Sequence, residues 1–181
     1  MKKYLLLAGL LLCCIPSMAQ KLTSGSLEPV FAQDKLNVTF DFSQASIDGI
    51  RESSLLNVGG DRAKDWAEGK ENICTKFMLA MLPIVDNVIS IGRFDDAPYT
   101  LVFIPKTFDD DGEVRGDAKV VDADGNVIAV ISKINGDGGR WGTYMNLCGD
   151  AMEKAGTNVG RFLIREYNKL QAQSQKAAKV K

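Results

Sequence analysis

The sequence predicts an α/β two-layer sandwich, in which a mixed sheet carries two helices on one face. Two observations point there. Tyr99–Gly142 reads as a three-stranded antiparallel meander, because three β-rich runs are separated by the turns Asp109-Asp-Asp-Gly112 and Asp122-Ala-Asp-Gly125. Two stretches with apolar residues at helical spacing flank that meander, and two further strand-like runs precede it.

Taken in order, residues 1–19 have the layout of a signal peptide. Lys2-Lys3 is a positive start, Tyr4 to Ile15 an apolar run, and Ser17-Met-Ala19 a small-x-small cleavage site before Gln20. The apolar run is shorter than the ~20 residues that a membrane span needs. Leu12-Cys13-Cys14 lacks the small residue that a lipoprotein signal places before its cysteine. Residues 20–34 show no period and read as a leader arm. A single globular domain is expected over 35–172, with a polar tail over 173–181 whose lysines give it a weak affinity for anionic lipid.

Lys35–Ser43 alternates Leu36, Val38, Phe40 and Phe42 against Asn37, Thr39 and Asp41, as a strand with one buried face does. Ser46-Ile-Asp-Gly49 is a turn, and Arg51 to Asn57 a short helical piece. Asp61 opens a helix carrying Trp66, Ile73, Cys74, Phe77, Met78 and Met81, which Pro83 should stop near Leu82. Val88–Phe94 is the next strand. In the meander, Arg115, Asp117 and Lys119 alternate with Val114, Gly116, Ala118 and Val120, so one face is wet or meets a partner. The third run sorts Val127, Ala129 and Ile131 to one side and Ile128, Val130 and Ile134 to the other. It is the most apolar and belongs nearer the middle of the sheet. Pro105 has no N–H for a ladder and places the end of the first run at an edge or past the sheet. A last helix runs from a cap at Thr143 or Asn146 to about Ala172. Gly149, Gly156 and Gly160 lie close to its apolar stripe, which implies close approach of the helix to the sheet or a gap for a small ligand.

The chemistry that this chain can offer is narrow. It contains no histidine, which removes His-based triads, most catalytic zinc sites and the usual general base near neutral pH. Cys74 and Cys148 are the two cysteines left after export; they form either a disulfide, if their Cα atoms come within about 7 Å, or two buried thiols. Asp109, Asp110, Asp111, Asp122 and Asp124 leave a carboxylate hydrolase and a calcium site formally open, yet turn chemistry alone explains them. Gly136-Asp-Gly-Gly-Arg-Trp-Gly142 precedes a helix but has Trp141 where a dinucleotide fingerprint needs its third glycine. What survives is an anion site at Gly138, Gly139 and Arg140, against a tight connection with Trp141 packed as a lid. Losing Lys2 and Lys3 takes the net charge from −1 to −3, without the basic footprint of a nucleic-acid binder. No cofactor or metal is expected.

The opening strand, the Asp-Gly turns of the meander, and Gly138–Asp150 leading to Gly156-Thr-Asn-Val-Gly-Arg-Phe162 resemble a group of small, uncharacterised exported proteins of Bacteroidetes. In element order alone the chain is similar to the amino-terminal domain of TolB and to the periplasmic domains of CsgG and LpoB. The resemblance implies a non-catalytic envelope domain, periplasmic or outer-membrane-associated, that docks on a protein or glycan. A small-ligand or lipid carrier, binding between the last helix and the sheet, is the alternative.

Overall fold

The computed structural model describes residues 20–179; the signal sequence expected over 1–19 lies outside them. The expected α/β sandwich is present: an eight-stranded mixed sheet with helices on one face. The elements are β1 (Lys21–Gly25), α1 (Glu28–Phe31), β2 (Lys35–Phe40), β3 (Ser46–Ile47), β4 (Ile50–Arg51), α2 (Glu52–Val58) and α3 (Asp61–Val85). They continue with β5 (Ser90–Gly92), β6 (Tyr99–Phe108), β7 (Val114–Asp122), β8 (Val127–Gly136) and α4 (Tyr144–Ala178). The strand order is β1-β8-β7-β6-β2-β5, with β2 parallel to both β5 and β6. The expected meander is β6-β7-β8, antiparallel throughout.

Several features depart from the sequence reading. Residues 20–34 are part of the domain: β1 pairs with β8, and Leu27 and Val30 enter the core. The strand is short and bulged between Leu22 and Ser24, so its alternation is too brief to read. Pro105 lies within β6 and not past it, opposite Gly116 at a register shift. The outer edge of β6 is free of a strand partner there, because β2 pairs only as far as Phe103 and β3 begins at Thr107. Pro83, too, is accommodated. It sits inside the last turn of α3, which continues to Val85 before Asp86 N–H closes on Leu82 O.

β7 keeps the predicted alternation, with Val114, Gly116, Ala118 and Val120 buried. β8 does not. Ser132 and Lys133 bulge opposite Asp117, whose Oδ1 accepts the Lys133 N–H at 3.1 Å; the extra residue turns Ile134 to the same buried face as Ile131. With β1 outside it, β8 is an interior strand one place from the edge. β3 and β4 form a tight hairpin through Asp48-Gly49, both at positive φ (46° and 80°), as a two-residue mirror-image turn requires.

Phe77 of α3 stacks on Phe103 of β6 with centroids 4.8 Å apart and meets Phe40 of β2 edge-on at 5.4 Å. α4 lies beside α3 and over β8. A Cβ at Gly136 of β8 would stand 1.9 Å from Ala151 O, so strand and helix backbones touch. The glycines of α4 face α3, not the sheet: a Cβ at Gly156 would lie 2.1 Å from Phe77 O, and one at Gly160 would lie 3.2 Å from Ile84 Cβ and Met81 Cγ. Ala151, Met152, Ala155, Phe162 and Leu163 are buried. The space for a ligand between α4 and the sheet is therefore filled.

Candidate functional site

The site best built for binding is a cleft of about 500 Å³ at the end of β2. It exists because the neighbouring strands have unequal lengths. On its inner side β2 pairs with β6 as far as Phe40–Phe103, and Asp41 N–H extends the ladder to Phe103 O at 2.9 Å. On its outer side β5 stops at Asn37–Gly92. Asp41 points its backbone at β6, so Phe40, one residue earlier, points its N–H and C=O the other way, into the cleft.

Helix α3 supplies Lys70, Glu71 and Cys74 to the lining of the cleft, and Arg93 and Glu52 line it as well. Glu52 is the buried charged residue of the core, 9% exposed. Its Oε1 accepts from Trp66 Nε1 and from Lys70 Nζ, each at 2.8 Å, and Lys70 also lies 4.9 Å from the Phe42 ring centroid. A buried carboxylate with two donors is satisfied, and it locks α2 to α3 beside the cleft. Arg93 pairs with Glu71 at the rim. Burial first, and then the Glu71 carboxylate, push the Cys74 thiol up to about 12, which makes it inert. Asp41 Oδ1 accepts Ser43 N–H at 2.9 Å, and the hydrogen bonds from Ser43 hold its carboxyl below the usual range, with Lys119 adding a smaller pull. The walls thus offer fixed charges and an open backbone edge.

A second groove, of about 410 Å³, lies between α3 and the start of α4. Arg62 spans it, 2.7 Å from Asp48 and 4.9 Å from the Tyr144 ring centroid. Tyr144 OH donates to Phe108 O at 3.4 Å, and burial raises both this phenol and the Cys148 thiol, the latter to about 12.

Cys74 and Cys148 are both free and buried, so the disulfide offered for them is not formed. Cys74 lines the β2 cleft, whereas Cys148 lies against Tyr144. At the glycine loop, a Cβ on Gly138 would sit 2.0 Å from Asp111 O and one on Gly139 would sit 2.3 Å from Asp150 Oδ2. Carbonyl and carboxylate oxygens surround these two positions, Arg140 is exposed, and Thr143 Oγ1 already accepts Asn146 N–H at 3.4 Å. Trp141 is 88% exposed and is not a lid, because its loop packs through glycine backbone.

The aspartate turns close on their own backbone. Asp109 Oδ1 accepts Glu113 N–H, and Asp122 Oδ1 accepts the N–H groups of Asp124 and Asn126. Among the described residues, no three His, Cys, Asp or Glu side chains converge as metal ligands. No described helix is long and apolar enough to cross a membrane. The Glu52–Trp66–Lys70 cluster escaped the sequence reading. Trp66 and Lys70 share a face of α3, but Glu52 lies on α2, across the break at Gly59-Gly60, so no period within one element links it to them.

No family model and no curated protein matches this chain. Among solved structures, it is similar to PelC of Paraburkholderia phytofirmans, a dodecamer, in two crystal forms. The TM-score is 0.40 for both, at 14% and 12% identity, over 78% of this chain and 98% and 96% of those. It is also similar to protein XCC0632 of Xanthomonas campestris, of family DUF330, with a TM-score of 0.36 at 14% identity over 78% of this chain and 87% of that one. At such scores and identities, neither assembly nor partner carries over.

Proposed function

We propose that this is an exported, non-catalytic binding domain of a Gram-negative cell envelope, periplasmic or outer-membrane-associated, which captures an extended polypeptide segment along the open edge of β2. The observation that carries the reading is the unequal pairing of β2, closed by β6 through Phe40 and left by β5 after Asn37. An unpaired strand edge is a template for a further strand; main-chain hydrogen bonds supply affinity and the flanking cleft supplies selectivity. The cleft offers a paired lysine and arginine and two paired carboxylates, which suits a segment of alternating polar character. The signal-like residues 1–19 support export. The lack of histidine and the two inert thiols support binding over chemistry.

The test is a display selection of short unstructured peptides against the chain from Gln20 onward, with the bound peptide mapped by amide exchange. Protection gained at Phe40 is expected, while Asp41, already bonded to Phe103 O, gains little. Selected peptides that protect other segments and leave Phe40 unchanged would refute the reading.

A further inference from the structure

α4 carries a second feature that the β2 cleft does not use. Lys154, Arg161, Arg165, Lys169, Lys176 and Lys179 are all exposed. At 100° per residue they fall within about 80° of arc, so they form one straight stripe about 38 Å long. Cations in the last helical turn complement the helix dipole, but that effect ends within a turn and accounts for Lys176 and Lys179 alone. The remaining four stand further back along the helix.

The stripe is also set against the charge of the rest of the molecule. Residues 161–181 hold Arg161, Arg165, Lys169, Lys176, Lys179 and Lys181 against Glu166 alone, a net charge of +5. The chain from Gln20 carries −3, so residues 20–160 carry −8. Arg165 and Lys169 share Glu166, at 3.7 Å and 2.6 Å. Lys154, Arg161, Lys176 and Lys179 have no acidic partner within 4.0 Å among the described residues.

At its inner end the stripe enters a groove of about 330 Å³ between α4 and the end of β8, where Asn158 Nδ2 donates to Asn135 O at 2.9 Å. Asp137 is the acidic side chain of that groove. At its outer end the stripe runs along Gln171–Lys179, nine residues exposed throughout.

We infer that this stripe binds a slender linear polyanion, an acidic glycan. The geometry favours it over an anionic membrane in two ways. A groove admits a chain and excludes a plane. A plane would also bring the acidic body of the molecule against like charge within the ~8 Å screening length, whereas a single chain meets the stripe alone. The exposed end of α4 is built of Ala, Gln, Ser and Lys, so it has no apolar face to insert into lipid.

The test uses fluorescein-labelled polygalacturonate and the chain from Gln20 onward, read by anisotropy over a range of NaCl concentrations. Binding that weakens steeply with salt is expected. The fourfold variant Lys154→Gln, Arg161→Gln, Lys176→Gln and Lys179→Gln should lose about tenfold or more in affinity and show a shallower salt dependence. A control that removes the same charge elsewhere, Lys64→Gln, Lys106→Gln, Arg115→Gln and Arg140→Gln, should change affinity by less than about twofold. Asp137→Asn should tighten binding. These positions are all exposed or line the open groove, so folding is preserved, which far-UV circular dichroism verifies. Three results would overturn the inference: no binding at low salt, equal losses in the two fourfold variants, or stripe-dependent binding to vesicles of phosphatidylglycerol and phosphatidylethanolamine that exceeds binding to polygalacturonate. None of them bears on the β2 edge.

Discussion

Cys74 and Cys148 show how much a residue's surroundings decide. Each lies on an apolar helix face, and burial raises each thiol from the ordinary 9.0 to about 12. An unfolded cysteine ionises near 8.5, so between these values the folded chain holds protons that the unfolded chain has released. The stability these thiols contribute is intact below about pH 8.5 and is lost as pH rises toward 12. Alkaline titration of the melting temperature should therefore fall over that window, and a Cys74→Ala, Cys148→Ala variant should fall less. In the chain from Gln20 onward, a chromogenic disulfide reagent at pH 8 should find no reactive thiol in the native state and two after unfolding without reductant. Finding none after unfolding would mean that the pair is bridged. The sequence placed both cysteines on buried faces but left bridge and thiol open, because their approach depends on how the two helices pack. Glu52 was invisible for the same reason: Trp66 and Lys70 reach it only once α2 folds back on α3.

The helix pair α3–α4 is the element on which the core turns. Gly149, Gly156 and Gly160 were legible as a small-residue face, but which neighbour they served was not. The structure sets them against α3. Gly156→Ala is diagnostic, since alanine improves helix propensity by about 1 kcal/mol yet its methyl would meet the Phe77 carbonyl 2.1 Å away. Backbone cannot yield as a side chain does, so a net loss of about 1–3 kcal/mol is expected, measured by urea denaturation. A gain would mean that the helices lie further apart. Elements with an unbroken period were read correctly, as Val114 to Val120 of β7 shows. Ile134 was misassigned because one bulged residue inverts every later side chain in its strand, and nothing local to Ser132-Lys133 marks the bulge before Asp117 is seen to hold it.

At the scale of the molecule, α3 and α4 pack side by side on one face of the sheet, and β2 is the strand whose two edges are unequally used. The two-layer layout was legible in the sequence, since amphipathic helices and half-apolar strands admit few other arrangements. The open edge was not, because it arises from β5 being only three residues long, and strand length is set by tertiary pairing. The most direct measurement is residue-resolved amide exchange of the free chain. Asp41, bonded to Phe103 O, should exchange slowly, and Phe40 beside it should exchange orders of magnitude faster. Equal protection of Phe40 and Asp41 in the free chain would show the edge already closed and would contradict the account.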